Sequence, residues 1–407
     1  MSAKHILILD YLHAYNDRRM VTQAAALVRL GYQVSVFVTH RVGKHAPQET
    51  RDGATYHLLP LIPARDAGTL LRAFARWLRG DRRNPLPVPE HDPPLSSSLV
   101  ALLFYTLWAL RVGLALKINA VYCHEHTPMP AAWLLARLKR VPLVYDEHDN
   151  REYLRIYGRS GRIAERFELL YLPRVDAVTT IGERLAAKLR TDGAKDVVVV
   201  GSWKRLEDYS IPGERLAAER ERLGLGRYKL VLNFIATLHP IRDVEPLLQA
   251  VERSPEVALL VGGSGVLAER VQEYAARCPN IIWLGWVNSA EIPLYTHLSD
   301  VVYNCLQPVE YDTYLMPNKL FDALAAGKAM LIRDGASEMA DVVRREDCGL
   351  LLADVTPETL IDAFSQLQKP ETLARLQANA LAAGRERYNW AVAERNLAAL
   401  FERIFAR

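Results

Sequence analysis

Short apolar runs that alternate with helical patterns constrain this chain of 407 residues more than any other feature. In the first half, the runs that predict strands lie at 5–10, 32–38, 120–123, 142–147, 175–181 and 196–202. The pattern starts again after a polar segment, with predicted strands at 228–236, 257–265, 280–286, 300–306 and 329–334. Such runs, separated by helices, are typical of parallel sheets that helices cover on both faces. The sequence therefore predicts an α/β protein with two doubly wound, Rossmann-like domains in series.

The same pattern divides the chain into four parts. We predict an amino-terminal domain at 1–202, an interdomain linker at 203–227, a carboxyl-terminal domain at 228–387 and a terminal helix at 388–407. Ligands of doubly wound sheets bind outside the carboxyl ends of the strands, and two such domains that face a central cleft build one site together. Within the first domain, the Pro- and Ser-rich stretch 84–98 predicts an internal loop.

Cysteine usage and the first residues indicate the compartment. Cys123, Cys278, Cys305 and Cys348 are scattered without a CxxC spacing, which favours reduced thiols over a disulfide framework or a zinc site. The start of the chain has only four consecutive apolar residues before Asp10, which predicts a strand and not a signal peptide. We therefore expect a cytoplasmic protein.

The charge distribution predicts an anionic partner. Residues 1–200 contain 28 Lys and Arg against 19 Asp and Glu, a net charge of +9, whereas the whole chain has a net charge of +4. Because no zinc-finger, basic-zipper or RNA-recognition signature is present, a phosphate group or a membrane surface is favoured over nucleic acid. The segment 70–83 places apolar residues on one helical face among arginines, as interfacial helices do. The apolar segment 99–116, which Arg111 interrupts, predicts a long buried helix rather than a membrane span.

The stretch YLMPNKLFDALAAGKAMLI (314–332) carries a polar pair in the first turns of a predicted helix. Pro317 suits the first helical position, and Gly327 suits the left-handed position at the end of the helix. Lys319 and Asp322 are three residues apart and therefore share one helical face. The pair is either a surface ion pair or part of a binding site, and this stretch alone leaves both interpretations open.

Other candidate residues follow predicted strands. The glycines of VGGSG (261–265) are typical of a tight turn and also of a loop whose backbone a ligand approaches. CHEH (123–126) and DEHD (146–149) lie at the ends of two adjacent strands, where the sites of α/β sheets form. Their side chains can hydrogen-bond a substrate or take a proton from a hydroxyl group. A metal site is disfavoured because these ligands lack a paired spacing on a helix.

In their order along the chain, five segments resemble the GT-B glycosyltransferases, in particular glycosyltransferase family 4. They are NDRRMVTQAAALVRLGYQVSV (16–36), YCHEHTPMPAAWLLARLKRVPLVYDEHD (122–149), VDAVTTIGE (175–183), FIATLHPIRDVEPLLQAV (234–251) and the stretch 314–332. The resemblance is to the branch with an Asp-x-Arg amino-terminal loop and a Pro-x-Lys-x-x-Asp nucleotide helix. It implies the GT-B fold, an acceptor-binding first domain, a nucleotide-sugar-binding second domain, and a terminal helix at 388–407 that crosses back to the first domain.

The resemblance also implies which residues bind the donor. Asp322 occupies the place of the acid that binds the ribose hydroxyls, and Lys319 lies beside it near the diphosphate. Arg242 is expected to clamp the departing diphosphate, and His13 in the first loop could reach it as well. The implied donor-binding residues are Arg18, Thr237, Gly262, Gly263, Gly265, Trp286, Val287, Tyr314, Asn318, Lys319 and Asp322.

Two positions depart from the family pattern. Many members have a glutamate at the position of Tyr314, which contacts the donor sugar, and an arginine at the position of Thr237. Glu310 and Asp312 imitate an acidic metal motif, but GT-B enzymes resemble one another in needing no bound metal, so we interpret them as a surface turn. We expect no metal and no cofactor besides the donor, for which frequency within the family favours a UDP-sugar.

The catalytic residues that the resemblance implies come from both domains. On the acceptor side, His124 and Glu125 are favoured by family position, followed by Asp146 and His148. Arg242 and Lys319 are expected to stabilise the negative charge that grows on the leaving diphosphate.

The expected function is that of a retaining, metal-independent hexosyltransferase that moves a sugar from a nucleotide diphosphate sugar to an acceptor hydroxyl. The basic first domain favours a lipid-linked or membrane-surface glycan as acceptor, in polysaccharide biosynthesis, and peripheral contact with the inner face of an anionic membrane. Two alternatives stay open. One is a sugar-nucleotide 2-epimerase of the same fold, and the other is a sugar-nucleotide-binding subunit without activity.

Overall fold

The computed structural model describes residues 3–13, 17–41, 48–64, 72, 75, 86–89, 95–148, 158–308 and 312–406. The chain divides into two compact units. The amino-terminal unit consists of Met1–Val200 together with Glu394–Arg407, and the carboxyl-terminal unit consists of Gly201–Ala393.

The described strands of the amino-terminal unit form one sheet. They are β1 (His5–His13), β2 (Gln33–Arg41), β3 (Gln48–Arg51), β4 (Ala54–Ala64), β5 (Leu86–Pro89), β6 (Ala120–His124), β7 (Leu143–Glu147), β8 (Ala177–Thr180) and β9 (Val197–Val199). Their order is β3-β4-β2-β1-β6-β7-β8-β9, with β5 paired to β4. The pairs are parallel except for β3 with β4. The strand order reverses between β1 and β6, which is where doubly wound sheets open a crevice for ligands.

Helices pack on this sheet through apolar faces. They are α1 (Arg18–Arg29), α2 (Leu95–Ala115), α3 (Met129–Lys139), α4 (Gly158–Tyr171) and α5 (Glu183–Thr191). In α1 the buried residues recur at helical spacing, so that Met20, Ala24 and Leu27 face the sheet. The central strands are fully buried, as in Val121 and Val144, which explains their continuous apolar runs.

The carboxyl-terminal unit has a parallel sheet with the strand order of a Rossmann fold. Its strands are β10 (Leu230–Ile235), β11 (Val257–Gly262), β12 (Ile281–Trp283), β13 (Val301–Tyr303), β14 (Ala329–Arg333) and β15 (Gly349–Leu352). The order is β12-β11-β10-β13-β14-β15, which reverses between β10 and β13. Its helices are α6 (Gly213–Arg222), α7 (Val244–Glu252), α8 (Ala268–Arg277), α9 (Ile292–Leu298), α10 (Asn318–Ala326), α11 (Glu338–Glu346), α12 (Pro357–Leu367) and α13 (Pro370–Glu386).

The last helix, α14 (Trp390–Ala406), begins in the carboxyl-terminal unit and continues in the amino-terminal one. Phe401 and Phe405 stack near the ring of Tyr32, with centroid distances of 6.1 and 5.6 Å. Asn396 donates a hydrogen bond to the carbonyl of Val199, at 2.9 Å. Apolar and polar contacts therefore both hold α14 to the first sheet.

The prediction of two α/β domains with parallel sheets is confirmed, but the prediction for 84–98 was wrong. This stretch contains β5, and α2 already begins at Leu95. The prolines at positions 87 and 89 suggested a loop, but proline is tolerated in a strand at the margin of a sheet, and β5 pairs only with β4.

The long apolar helix proves to be buried on one face only. In α2, Tyr105 and Trp108 are buried, whereas Leu103 and Leu107 are exposed. None of the helices in the described part of the chain combines the length and hydropathy that a membrane-crossing segment requires. The interfacial helix predicted at 70–83 lies outside the described residues, apart from positions 72 and 75, which are helical.

Candidate functional site

The first helix of the amino-terminal unit begins with a capping aspartate. Oδ1 of Asp17 accepts hydrogen bonds from the backbone N–H groups of Arg19 (2.8 Å) and Met20 (3.1 Å). Such a cap satisfies N–H groups that a helix start leaves without partners. In the turn fixed in this way, Arg19 is buried and Arg18 is exposed.

The buried Arg19 forms a bidentate ion pair with Asp146, which lies at the carboxyl end of β7. Nε and Nη2 of Arg19 donate to the two carboxylate oxygens, each at 2.7 Å. Nη1 donates to the carbonyl of Val200 at 2.5 Å. Thr179 and His148 also donate to Asp146. A fork of this kind matches the geometry of a carboxylate and provides strong, charge-assisted hydrogen bonds.

The pair is charged in spite of its burial. Burial alone would raise the pKa of Asp146, but the Arg19 charge and its hydrogen bonds outweigh it and bring that pKa well below its ordinary value. For Arg19, burial acts to lower the pKa and the Asp146 carboxylate raises it further, so that the guanidinium keeps its proton. The ion pair therefore persists throughout the neutral pH range.

His124, the last residue of β6, is a neutral side chain in the middle of these charges. It is fully buried, and burial lowers its pKa to about 4, although Asp146 and Asp17 act in the opposite direction. Its Nδ1 lies 3.6 Å from Oδ2 of Asp146 and 3.8 Å from Oδ2 of Asp17. Neither ring nitrogen has a hydrogen-bond partner in the described part of the protein. Buried polar atoms normally have partners, so this ring is a candidate for contact with a ligand or a water molecule.

His148 and Glu125 complete this end of the sheet. Nδ1 of His148 lies 2.9 Å from Oδ2 of Asp146, and Nε2 lies 3.6 Å from Oε1 of Glu125. Glu125 has a φ of +61°, a left-handed conformation that is uncommon for a residue other than glycine. An aspartate that holds one nitrogen of a histidine orients the other nitrogen, as in general bases. The arrangement can therefore receive a proton at Nε2.

We refer to Asp17, Arg19, His124, Asp146 and His148 as the amino-terminal cluster. The structure brings together the residues predicted at the two strand ends, namely His124, Glu125, Asp146 and His148. The donor-binding role predicted for the exposed Arg18 stays a prediction. Arg19 was not named, although helical spacing indicates its burial, because position 19 lies four residues before the buried Gln23 and eight before Leu27.

In the carboxyl-terminal unit, α10 begins and ends as its sequence predicts. Pro317 is the residue that caps the start, and Gly327 ends the helix with a left-handed φ of +63°. Leu320 and Leu324 are fully buried and fix the helix on the sheet. The polar face with Lys319 and Asp322 is thereby held at one orientation.

Asp322 is a nearly buried carboxylate that accepts one hydrogen bond and forms one ion pair at the same oxygen. The residue is 6% exposed, and its Oδ1 accepts a hydrogen bond from the hydroxyl of Tyr209 at 2.5 Å. Nζ of Lys204 lies 3.0 Å from the same oxygen, and it also donates to Oδ1 of Asn318 at 3.0 Å. Lys204 and Tyr209 belong to the predicted linker and were not identified from the sequence, because nothing in their spacing connects them with a residue more than a hundred positions away.

Lys319 lies in positive surroundings. Its pKa falls to about 8, first because of burial and then because of the Arg242 charge; Asp322 opposes this shift, and Lys204 adds to it. Arg242 ends a short turn, Pro240–Arg242, after β10. We refer to Lys204, Arg242 and Lys319 as the cation cluster. Lys204 pairs with Asp322, and the charges of Arg242 and Lys204 act on Lys319, so the cluster is a candidate binding site for an anion.

The glycines after β11 are explained by the close packing of two loops. A Cβ atom on Gly263 would overlap the carbonyl oxygen of Ala236, and one on Gly265 would overlap that of Leu238. Both glycines also have positive φ angles, +130° and +147°. Packing alone therefore requires glycine here, and contact with a nucleotide stays a prediction.

Gly262 connects this loop to the one after β12. A Cβ atom on Gly262 would lie 2.9 Å from the Val287 side chain and 3.0 Å from the carbonyl oxygen of Gly285. Val287 is buried, whereas Trp286 is 77% exposed. The resemblance implies that backbone groups at Trp286 and Val287 read the base, and this stays a prediction.

The remaining predicted residues lie apart from these contacts. Thr237 is exposed in the loop after β10, and Tyr314 is half-buried in the turn Asp312–Tyr314. The side chain of His13, together with Glu310, lies outside the described residues. In the described residues, no group of three or more His, Cys, Asp or Glu side chains is arranged to hold a metal ion.

Comparison with known families and proteins identifies relatives. One family model, described as "Glycosyl transferase 4-like domain", matches residues 17–203, and another, "Glycosyl transferases group 1", matches residues 229–369. TuaH of Bacillus subtilis, named as a candidate glycosyltransferase of teichuronic acid biosynthesis, is 29% identical over 187 residues. That match covers 43% of this chain and 46% of TuaH, so the chain spans about half the length of the curated relative it matches.

Solved structures show the same fold along the whole chain. Sucrose-phosphate synthase from Thermosynechococcus elongatus has a TM-score of 0.72 at 13% identity and covers 99% of both chains. Anabaena HepE in complex with UDP-glucose has a TM-score of 0.67 at 14% identity, with 98% of this chain and 99% of that one covered. Trehalose-phosphate synthase from Burkholderia vietnamiensis has a TM-score of 0.65 at 15% identity, with complete coverage of both chains. At these identities the likeness shows the fold, which is GT-B.

Proposed function

Because the chain belongs to the GT-B glycosyltransferases and resembles their family 4, we propose that it transfers a sugar from a nucleoside diphosphate sugar to an acceptor hydroxyl. The observation that carries this proposal is the cation cluster beside Asp322 at the start of α10. A diphosphate is attracted by these cations, and the N-terminus of α10 adds N–H donors and a favourable dipole.

The donor that we propose is a UDP-hexose. Asp322 accepts hydrogen bonds from the ribose, and the exposed Trp286 and the backbone around Val287 contact the base. HepE, which shares the fold, is described in complexes with UDP-glucose and with UDP. This supports the donor class by analogy of fold alone.

Transfer depends on charge at the leaving diphosphate. As the bond to the sugar breaks, negative charge grows on the phosphate oxygens, and Arg242 and Lys319 stabilise it more strongly in the transition state than in the bound donor. We propose that these cations stabilise the leaving diphosphate without a metal ion. We also propose that the sugar keeps its anomeric configuration, as in family 4.

The amino-terminal cluster is proposed to handle the acceptor. His148, held at Nδ1 by Asp146, can take the proton of the acceptor hydroxyl at Nε2. Glu125 lies 3.6 Å from that nitrogen and can position the same hydroxyl. His124, whose ring nitrogens are unpartnered among the described residues, is proposed to contact the sugar.

A lipid-linked or membrane-surface glycan is the acceptor class that we propose, in polysaccharide biosynthesis. On α4, Ile163, Phe167 and Leu170 are exposed along one helical face, next to the exposed arginines 162 and 166. Apolar side chains bordered by cations are typical of helices that lie on anionic membranes. The substitution Phe167→Ser should weaken co-sedimentation with phosphatidylglycerol vesicles, whereas Val266→Ser, an exposed control in the other unit, should not. Equal binding of both variants and wild type would contradict the membrane contact.

Product analysis tests the function itself. Purified protein is incubated with UDP-glucose, GDP-mannose or ADP-glucose and a glycan acceptor, with and without EDTA, and the nucleotide products are separated. We expect a free nucleoside diphosphate and a glycosylated product in both conditions. Arg242→Ala should lower turnover at saturating donor by about a hundredfold, with a smaller effect on donor binding. An epimerised sugar nucleotide would instead identify a 2-epimerase, and binding without any product would identify a subunit that has no activity.

A further inference from the structure

The segment that enters the carboxyl-terminal unit is packed against the proposed nucleotide helix α10. Trp203 lies edge-on to Phe321 and Tyr388, with ring-centroid distances of 6.5 and 5.6 Å. Six residues further on, Tyr209 is buried in a small apolar cluster with Ala325 and Ala326 of α10. The segment is therefore fixed to the helix by contacts on both sides of its polar residues.

The backbones of Lys204 and Tyr209 are also fixed. The carbonyl of Lys204 accepts a hydrogen bond from the N–H of Trp390 at 2.8 Å, and Lys204 forms a parallel bridge with Asn389. The carbonyl of Tyr209 lies 2.6 Å from Nε2 of His297. Because the main chain is held at both residues, their side chains are presented to α10 at defined positions.

Both side chains reach the same atom. The Tyr209 hydroxyl donates to Oδ1 of Asp322 at 2.5 Å, and the Lys204 ammonium lies 3.0 Å from that oxygen. Oδ1 thus accepts the hydrogen bond of Tyr209 and forms the ion pair with Lys204, whose ammonium donates its hydrogen bond to Asn318. Oδ2 has no hydrogen-bond partner among the described residues. Within the described residues, Oδ1 of Asp322 is therefore occupied by protein contacts, whereas Oδ2 is available to a ligand.

The Tyr209 hydroxyl is a permanent donor. Burial and then the neighbouring Asp322 carboxylate raise the pKa of Tyr209 far above its ordinary value, so the phenol keeps its proton throughout the neutral pH range. A neutral hydroxyl next to a carboxylate donates to it and does not compete for a ligand. Tyr209 is thus suited to orient Asp322 without adding charge to the site.

We infer that Lys204 and Tyr209 are positioning residues that hold Oδ1 of Asp322 and thereby direct Oδ2 at the ribose, so that the site discriminates ribonucleotides from 2′-deoxyribonucleotides. This inference rests on the proposed function, in which Asp322 binds the ribose of a nucleoside diphosphate. It goes beyond that function because it assigns ribose recognition to Oδ2 of Asp322. It also assigns the orientation of this carboxylate to two residues outside α10.

The discriminating variant is Tyr209→Phe, which removes one hydrogen bond to Asp322 and leaves every charge in place. Wild type, Tyr209→Phe and Lys204→Met are titrated calorimetrically with UDP and 2′-deoxy-UDP, and likewise with the GDP and ADP pairs. For the ribonucleotide that binds wild type, we expect Tyr209→Phe to lose roughly five- to tenfold in affinity. The deoxy form should lose less, so the ratio of the two affinities shrinks. Lys204→Met should also shrink this ratio and, because it removes a cation, should weaken both ligands.

Controls separate this inference from the proposed function. Tyr228→Phe, which removes a hydroxyl bonded to the carbonyl of Pro279 in the same unit, should leave the ratio of affinities unchanged. If Tyr209→Phe weakened both forms equally, or neither, Asp322 would not depend on Tyr209 for ribose recognition, and this inference alone would be overturned. If wild type bound none of the nucleotides, the proposed function would fail, and this inference with it.

Discussion

The amino-terminal cluster and the cation cluster both bury charge, but they balance it differently. In the first, the Arg19 guanidinium meets the Asp146 carboxylate in a pair whose side chains are 6% and 0% exposed. In the second, Lys204 pairs with Asp322, and the pKa of Lys319 falls to about 8 through burial and the Arg242 charge. A balanced buried pair is satisfied within the protein, whereas cations gathered at one place attract a ligand of the opposite sign. We therefore propose that the first cluster stabilises the fold and that the second binds an anionic substrate.

The two clusters should make stability rise with pH in different pH ranges, the first in acid and the second in alkaline solution. The folded-state pKa of Asp146 lies below its ordinary value of 3.8, so its contribution to stability is complete above that value and is lost as the pH falls through the folded-state pKa. Lys319 has a folded-state pKa of about 8 and an ordinary value of 10.5. Between these two values the folded state binds fewer protons than the unfolded state, so the contribution of Lys319 makes stability rise with pH.

The largest effect that we expect is on stability, from the amino-terminal cluster. Asp146→Ala leaves the Arg19 charge buried without its carboxylate and should lower the free energy of unfolding by about 3–5 kcal/mol. The loss is measured by urea unfolding, and hydrogen exchange of the β6 and β7 amides locates it in the amino-terminal unit. In the cation cluster, by contrast, Lys319→Met removes a cation from positive surroundings. This variant should therefore not lower the free energy of unfolding.

An exposed ion pair provides the control for this prediction. Glu394→Ala breaks the contact of that carboxylate with Arg29, whose side chain is 44% exposed, and should cost less than about 1 kcal/mol. Asp146→Asn retains the shape and part of the hydrogen bonding, and it serves where the alanine variant does not fold. If Asp146→Ala cost no more than Glu394→Ala, the contrast between the two clusters would be lost.

Most of the fold could be predicted from the sequence because buried parallel strands are continuous apolar runs. The runs at 120–123 and 142–147 correspond to β6 and β7 within one or two residues. The strands β4 and β5 were missed because prolines interrupt them, near the margin of the sheet. The strand β3 was missed because its residues are polar, and β15, which begins with a glycine, was missed as well. Local sequence patterns predict strands that are continuous apolar runs. They do not predict strands that contain proline and form only because the folded chain pairs them with a neighbour.

The candidate site was predictable to the extent that it follows strand ends. His124 and Asp146 were found because the ends of parallel strands meet at one edge of a sheet. Arg19 was not named, although helical spacing places it on the buried face of α1. Lys204 and Tyr209 could not be found, because their partner Asp322 is brought to them only by the folded chain.

A smaller effect is expected on the affinity of the cation cluster for a diphosphate, and it tests whether this cluster binds a ligand. In the free protein the pKa of Lys319 is about 8, and a bound diphosphate should raise it, since the anion favours the charged form. Binding above this pH must therefore take up a proton, and affinity should fall by up to about tenfold per pH unit. The measurement is calorimetric titration with UDP between about pH 7 and pH 9, where the diphosphate is already fully ionised. Buffers of different ionisation enthalpy report the proton uptake directly.

Variants of two lysines at opposite ends of α10 show whether the pH dependence of UDP affinity comes from the cation cluster. Lys319→Met should bind UDP more weakly at neutral pH and should lose the pH dependence. Lys328 follows α10 at its other end, and burial lowers its pKa as well. Lys328→Met is therefore the same substitution of a buried lysine at a position away from the cation cluster. This variant should bind with the pH dependence of wild type. If affinity in wild type were constant from pH 7 to about pH 9, or if Lys328→Met abolished its fall, Lys319 would not face the diphosphate, and the cation cluster would be a structural feature like the pair between Arg19 and Asp146.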